Sequence, residues 1–585
     1  MKNKKILVIS LFASLSFSGY AQEADEIKTV NIAGIEQDVK ESAASISIIS
    51  GEDLTKRSAK NVTNSLYGYG LGLTTLQNSG HYATQEPTLY VRGMQTLSDN
   101  KGPLTLVDGI ERDIKLITPE EVESVQILKD AAAVALYGYK GANGVINIIT
   151  KRGKYNTREI KFSYDHVINW EARRPEFVDG YTYALAVNEA LANDGVRKPR
   201  YHELELDAFK SGNYPYFYPN VNWMDEVFKN TAATNLYNIS FRGGGAKFRY
   251  YALLNLTTDK GFIDNANMND GYSTQNKYSK ANLRTNLDID LTSTTKMTVN
   301  LLGTLAETSR PGDNADLWSM IYQLPPTAFP VRTENGLWGG SITWAGTLNP
   351  VAQSQATAYT KGHNRSLYAD MTLKQDLSSI LPGLGGSFKL AYDNYAAYVE
   401  NHSKTYRYGI DYVAWASGKP TAGTQNVFGT ESPMGTDSDM SEWKRNFNSA
   451  LGLDYQYASD KHAVYTQLMW NHEYRNLNGT NQTWYRENLT SYTHYGYKGR
   501  YFADLSMAVS SSNKLAPGHK WAFSPTLALA WVISKENFME KADFIDYLKL
   551  RASAGIINID NIPEEAYWQE IYTGGSTYRF DSSYG

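Results

Sequence analysis

"LKDAAAVALYGYKGANGVINIITKRGK", Leu128–Lys154, changes character several times within a short span. Asp130 carries a short side-chain acceptor in front of an alanine run, so Ala131–Tyr137 reads as a helix that Asp130 caps. Gly138 is placed to be the left-handed residue just past the end of that helix. Gly141 and Gly144 let the loop fold back tightly. "VINIIT" (Val145–Thr150) then re-enters as a short, nearly all-apolar strand of the kind found at the centre of a sheet, and a basic cluster follows it.

Outward from this unit, the text from Val39 to Lys154 keeps a small mixed α/β style. "SISIIS" (Ser45–Ser50) alternates like a strand, and Gly51-Glu52-Asp53 starts a short helix leading to "NVTNSLYGYG". "PTLYVRG" (Pro87–Gly93) and "PLTLVDG" (Pro103–Gly109) read as short strands ending in glycine turns. Thr118-Pro119-Glu120-Glu121 places Thr at the N-cap, Pro at the first helical position and Glu at the third. That is a capping box before a single turn, with "VQILK" as the next strand.

After Tyr155 the pattern becomes long alternation of period two. In "ANLRTNLDIDL" (Ala281–Leu291), Leu283, Leu287, Ile289 and Leu291 share one side, and Asn282, Arg284, Asn286, Asp288 and Asp290 share the other. Met297, Val299, Leu301 and Leu305 continue the apolar parity after a short turn. Trp521, Phe523, Leu527, Leu529, Trp531 and Ile533 oppose Ala522, Ser524, Thr526, Ala528 and Ala530. Such segments suit membrane-spanning β-strands with lipid on one side and a polar lumen on the other. A soluble sandwich or propeller also alternates, so the pattern alone leaves both open. Leu287, Ile289, Leu527 and Leu529 are expected toward lipid, and Asn286, Asp288 and Thr526 toward the lumen.

Composition narrows the setting. Lys2, Lys4 and Lys5 precede a short apolar run, Ile6–Phe17, and Gly19-Tyr20-Ala21 offers small residues for cleavage after Ala21. Residues 1–21 therefore read as a secretory signal peptide, its apolar run too short to span a membrane as a helix. Loss of its three lysines takes the net charge from −4 to −7, which argues against a nucleic-acid partner. The absence of cysteine excludes disulfides, so sheet and packing must hold the fold. The 43 tyrosines and 12 tryptophans suit a membrane–water interface, and equally carbohydrate stacking or ordinary sheet surfaces.

Enzyme signatures are sparse. His202-Glu203 and His472-Glu473 begin like a zinc-binding H-E-x-x-H, but Leu206 and Asn476 stand where the second histidine belongs. Both pairs read as loop residues. "GYGLGLTT" lacks the third glycine of a dinucleotide loop and reads as a turn, and "NANMND" near 265–270 lacks the glycine and final glutamate of an EF-hand. No catalytic constellation, cofactor or metal site is expected.

"VESVQILKDAAAVALYGYKGANGVINIITKRGK" resembles the plug signature of TonB-dependent outer-membrane transporters, specifically the SusC/RagA-like family. The characteristic points are Lys129-Asp130, Tyr137-Gly138, Asn143-Gly144 and Lys151, with Arg92-Gly93 and Asp108-Gly109 in the matching upstream strands. "TAATNLYNISFRGGGAKFRYYALLNLTTDKGFI", "YSKANLRTNLDIDLT", "LNPVA" and the stretch from "YGYKGRYFADL" to "LKLRASAG" resemble barrel segments in family order.

The resemblance implies an antiparallel transmembrane β-barrel with an N-terminal α/β plug: signal peptide 1–21, periplasmic tail 22–38, plug 39–154 and wall 155–585. In the extended tail Ile27, Lys28, Thr29, Val30, Asn31 and Ile32 resemble a TonB box, a segment that pairs edge to edge with the energising protein. It further implies active import of an oligomeric nutrient, an oligosaccharide in preference to an oligopeptide. The implied partners are TonB with its inner-membrane proton-motive complex, a SusD-like surface lipoprotein and outer-membrane lipid. A surface-binding or adhesion receptor and a passive channel are the rival readings. "YPYFYPNVNW" (Tyr214–Trp223) and "LWGGSITWAG" (Leu337–Gly346) are candidate loops for stacking on sugar rings. Family barrels have about 22 strands, whereas the residues after Tyr155 have room for about a dozen. The sequence therefore reads as an N-terminal portion, and an open, curved sheet partly wrapping the plug is expected.

Overall fold

In the computed structural model a five-stranded sheet is seated against the polar face of a thirteen-stranded one. The structure describes residues 29–77, 86–96, 101–269, 271–312, 316–478, 483–541 and 544–560. The signal segment with Ala21, and Ile27 and Lys28 of the box-like segment, lie outside the described residues.

The chain enters as a hairpin, β1 (Thr29–Ile32) and β2 (Ile35–Asp38), closed by the two-residue turn Ala33-Gly34. β3 (Ile46–Ser50), α1 (Gly51–Thr55), α2 (Val62–Ser65), β4 (Leu73–Leu76) and β5 (Thr88–Val91) follow. β6 (Leu104–Val107), β7 (Ile110–Glu111), β8 (Val122–Leu128), α3 (Ala131–Val134) and β9 (Val145–Thr150) complete the inner unit. The inner sheet runs β3-β8-β9-β6-β7, so "VINIIT" is its central strand, antiparallel to β8 and parallel to β6. Val145, Ile146 and Ile148 are fully buried, as a strand covered on both faces requires. The Thr118 capping box forms, its N–H donating to Glu121 Oε1 at 2.7 Å.

Three expectations for this region need correction. The tail is not loosely extended: Val30, Ile32 and Ile35 pack with Leu104, Leu128, Val145 and Tyr492 in one buried cluster. Their spacing puts them on one face of the hairpin, and burial of that face holds it down. The Ala-rich helix is a single α turn capped by Asp130, which accepts from the Ala133 N–H at 3.1 Å. It continues as 3-10 helix through Asn143. Gly138 has φ 60° and ψ −140°, which is not the left-handed helical cap. Its requirement is proximity: a Cβ there would lie 2.1 Å from Asn488 Oδ1 of the outer sheet.

The outer sheet begins with β10 (Arg158–Trp170), β11 (Thr231–Gly244), β12 (Phe248–Lys260), β13 (Lys277–Asp290) and β14 (Thr295–Pro311). A two-residue β15 (Trp338–Gly339) lies in the next connection. The wall resumes with β16 (Ala358–Asp376) and β17 (Leu384–Ser403). β18 (Tyr408–Ala416) and β19 (Lys419–Phe428) form a hairpin that joins β15 in a separate sheet. β20 (Gly435–Ala458), β21 (His462–Leu477), β22 (Thr483–Tyr497), β23 (Tyr501–Ser512), β24 (Trp521–Val532) and β25 (Lys549–Gly555) complete the wall. All its pairings are antiparallel, and among the described residues β10 pairs only with β11 and β25 only with β24. Among the described residues the barrel is not closed, as the strand arithmetic anticipates.

Parity is as expected. Asn286, Asp288 and Thr526 are buried, while Leu527 and Leu529 are exposed and Leu287 and Ile289 half-exposed on the opposite face. Exposed leucines 254, 283, 301, 305, 367, 451, 489 and 505 form a belt. Tyr497, Tyr501 and Trp531 stack at one rim of the belt, and exposed Trp170, Tyr485 and Trp521 mark the other. A leucine belt between aromatic girdles is the outward face of a transmembrane barrel. Short turns such as 291–294 and 498–500 line the first rim, and connections such as 171–230 and 312–357 the second. By the usual asymmetry the long-loop rim faces outside.

Gly144 has φ +86°, and a Cβ there would lie 2.6 Å from Val91 Cβ. Gly144→Val is expected to destabilise the inner unit by about 1–3 kcal/mol through backbone strain and about as much again through overpacking. Urea unfolding followed by proteolysis of residues 86–150 measures it, and unchanged resistance contradicts the close approach. Leu283→Arg in the middle of the belt should cost roughly 2–4 kcal/mol in bilayers, and Ile289→Arg, beside the 291–294 turn, about 0–1 kcal/mol. Equal costs would refute the assignment of the lipid-facing belt.

Candidate functional site

The face where the plug meets the wall is where the plug signature and the polar alternation come together. Arg112, in the turn after β7, is buried and forks onto two wall carboxylates. Its Nη1 donates to Asp370 Oδ1 at 2.7 Å, its Nη2 to Asp393 Oδ1 at 2.9 Å and its Nε to Asp393 Oδ2 at 3.1 Å. Asn300 extends the network, donating to Asp370 Oδ2 at 2.6 Å and accepting from Arg152 Nη1 at 2.6 Å. Desolvated charges require this degree of pairing. Around the sheet, Arg284 pairs with Glu121, and Lys140 pairs with Glu111 and with Glu473. Lys280 Nζ donates to the Lys60 carbonyl at 3.0 Å, and Lys389 Nζ to the Asp108 carbonyl at 2.9 Å.

The signature residues hold this unit together. Asp108 accepts from the Thr150 N–H at 3.0 Å and the Thr150 hydroxyl at 2.7 Å, tying the β6–β7 turn to the end of β9. Burial alone would raise its carboxyl, but the Arg152 and Arg284 guanidiniums and the Thr150 bonds hold it below the ordinary aspartate range. Lys129 Nζ donates to Ser47 Oγ at 2.6 Å and the Leu71 carbonyl at 2.9 Å. Burial, with Arg551 and Arg92 nearby, pushes it down to about 8. Arg92 reaches Ser45 Oγ at 3.3 Å and Lys151 Nζ reaches the Glu120 carbonyl at 2.8 Å. Asn143 Nδ2 donates to the Gly102 carbonyl at 3.3 Å. Gly93 and Gly109 occupy turns of positive φ.

The hairpin touches both partners. Tyr137 accepts from the Ala33 N–H at 2.8 Å, and Gln126 Oε1 from the Asn31 N–H at 2.9 Å. On the wall side, Gln37 Nε2 lies 2.7 Å from His494 Nδ1, which also contacts Asp504. Beside the hairpin, on the short-turn side, opens a cavity of about 1060 Å³ bounded by Asn31, Gly34, Lys140, Lys389, Gly383 and Tyr465. So Thr29–Ile32 is brought together with Tyr137 and with Gln126 of the plug.

Other expectations resolve differently. His202 is the N-cap of a helix, Glu203–Ser211, within the 171–230 connection, whereas His472 and Glu473 lie within β21 and not in a loop. Glu473 points inward to Lys140, which explains a charged residue there without metal chemistry. The long connections carry helices, including Gly180–Asn193 and Leu317–Gln323. Trp223 and Trp338 are buried in a core shared by these connections, and Tyr218 is buried against Phe209. They pack loops rather than face a ligand. Tyr216 and Tyr322 are exposed. Arg112, Asp370 and Asp393 escape sequence reading, although a lone arginine after "VDGIE" and aspartates at inward parity were the available signals.

Removing Arg112 strands two buried carboxylates. Arg112→Ala is expected to cost about 3–5 kcal/mol, read as a lower urea midpoint for release of the plug. An unchanged midpoint would remove this pair from the seat. The sign for Asp108 is that of a depressed acid. It stabilises the fold fully above the ordinary aspartate pKa of about 3.9, and that contribution is lost as pH falls through its lower folded value. Asp108→Asn should therefore flatten the acid limb of stability against pH.

Comparison with known proteins agrees with this arrangement. Residues 38–145 match the family model described as TonB-dependent Receptor Plug Domain. The TonB-dependent receptor SusC of Bacteroides thetaiotaomicron is 22% identical over 606 residues, covering 95% of this chain and 55% of that protein. The TonB-dependent receptor P3 of Formosa agariphila is 23% identical over 565 residues, covering 91% and 51%. The chain thus spans about half the length of the curated relatives it matches. A solved structure of the RagAB peptide importer in its open-open state superposes with a TM-score of 0.72 at 15% identity, covering 94% of this chain and 63% of that one. With its plug seated on a leucine-belted wall, this chain carries the plug domain of TonB-dependent receptors and resembles the SusC/RagA-like receptors, β-barrel proteins of the outer membrane, over the part of their length that it spans.

Proposed function

We propose that this chain serves TonB-dependent import of an oligomeric nutrient across the outer membrane, an oligosaccharide in preference to an oligopeptide. The observation that carries the reading is the β1–β2 hairpin. It bears the box-like strand, lies at the short-turn side, and bonds to the plug through Gln126 and Tyr137. A strand of TonB added to the segment Ile27–Ile32, driven by its inner-membrane proton-motive complex, would pull directly on those bonds. The cavity beside the hairpin gives the displaced plug elements room on that side.

The relatives named as TonB-dependent receptors support energy coupling, and the peptide importer supports oligomeric cargo. Exposed Tyr216 and Tyr322 on the long connections favour sugar rings, whose apolar faces stack on aromatics. A SusD-like lipoprotein would cover this rim. A binding or adhesion receptor and a passive channel differ from this reading in one respect, the need for the box.

Val30→Pro removes a backbone donor from β1 and disfavours strand pairing. Energised uptake of labelled oligosaccharides or oligopeptides should fall at least tenfold while surface binding and outer-membrane abundance hold. Undiminished uptake would favour the passive channel. Absence of uptake in the unmodified protein, with binding intact, would favour the receptor.

A further inference from the structure

The lipid-facing side of the wall carries a basic cluster at its long-loop rim. Lys260 at the end of β12 lies directly opposite Lys277 at the start of β13. Lys277 is opposite Ser309, and Ser309 is opposite Lys361 of β16. Strands lie about 4.8 Å apart, so Lys277 and Lys361 are separated by roughly 10 Å across the sheet. Each lysine shares its strand parity with belt leucines: Lys260 with Leu256, Lys277 with Leu283 and Lys361 with Leu367. They therefore point away from the lumen. Arg365, exposed on the same face, stacks over the Tyr398 ring at 5.1 Å.

Like charges directly opposite one another on a sheet are destabilising, and Lys277 lies in the repulsive field of both Lys260 and Lys361. The row ends on an acid, Glu400, directly opposite Lys361, which offsets one of its three lysines. Glu307 and Glu400 turn to His363, each at 3.4 Å, and Glu400 also to His402 at 3.8 Å. Lys361 Nζ lies instead over the Tyr359 ring at 5.4 Å. Immediately below, the belt continues through Leu305 and Leu367. Ammonium groups above an apolar surface, flanked by interfacial tyrosines, match a molecule with a phosphate head and acyl chains.

We infer that this cluster is a binding site for the phosphate-bearing headgroup of an outer-leaflet lipid, with Lys277 and Lys361 as its principal cations. The acyl chains lie down the leucine belt. The site is independent of the import reading, since it rests only on which face meets lipid.

Native mass spectrometry of the protein in a neutral detergent tests it, with lipid A carrying its phosphate and with the dephosphorylated lipid as probes. The Lys277→Gln/Lys361→Gln pair should bind the phosphorylated lipid about 30-fold more weakly, and each single variant about 5-fold more weakly. Lys461→Gln/Lys498→Gln on the short-turn rim should leave binding unchanged. The single variants keep the contrast readable should the double variant fail to fold, which the gel shift between heated and unheated samples reveals. Equal binding by wild type and the Lys277 and Lys361 variants would overturn the site. So would equal affinity for the dephosphorylated lipid. Displacement of the lipid by inorganic phosphate at equal concentration would identify a free-anion site instead.

Discussion

The constraint on which the structure depends is that a wall with a polar inner face must find partners for every charge it buries. There are no cysteines to bind plug and wall covalently. The seat is held instead by forks such as Arg112 on Asp370 and Asp393, and by the single pair of Arg284 with Glu121. A buried pair of this kind adds little net stability relative to apolar packing, because desolvation opposes the Coulomb gain. Its strength lies in the penalty for misplacement: any other orientation of the plug would strand several charges at once. The wall thereby selects one seating of the inner sheet.

Against that seat, the hairpin is a lightly built element. β1 and β2 form a two-stranded sheet of their own, a unit only marginally stable alone. Its attachment to the plug runs through side chains, Gln126 to Asn31 and Tyr137 to Ala33, rather than through a backbone ladder. Burial of Val30, Ile32 and Ile35 supplies most of the hold. Local opening is expected first where ladders are fewest. The hairpin is thus both docked and separable, as the proposed coupling to TonB requires, while β9 at the centre of the plug is not.

The long connections show the same economy of aromatic residues used for structure. Trp223 stacks edge-on to Phe329 at 5.2 Å between ring centres, and its Nε1 donates to the Pro325 carbonyl at 3.2 Å. A loop core of this kind keeps an extended outer rim in one shape without disulfides. It also explains why loop aromatics are poor guides to ligand contacts: a tryptophan in a long connection must first cover its own apolar area.

What the residues alone determined follows from local and periodic physics. Alternation of Leu283 and Leu287 against Asn282, Arg284 and Asn286 assigned the two faces, since side chains in a strand alternate strictly. Thr118, Asp130 and Gly144 announced their cap and turn roles because those depend on a few neighbouring atoms. Chain length against strand length anticipated the open sheet. What tertiary structure alone decided are contacts between residues far apart in sequence. Whether Val30 faces solvent or a core depends on Leu104, Leu128 and Tyr492 arriving beside it. Arg112 acquires its meaning from Asp370 and Asp393, on two different wall strands. The lysine cluster exists only through the register that sets Lys260 against Lys277 and carries the row on to Lys361. Periodicity tells a side chain which face it occupies, and only the folded register tells it which charge it meets there.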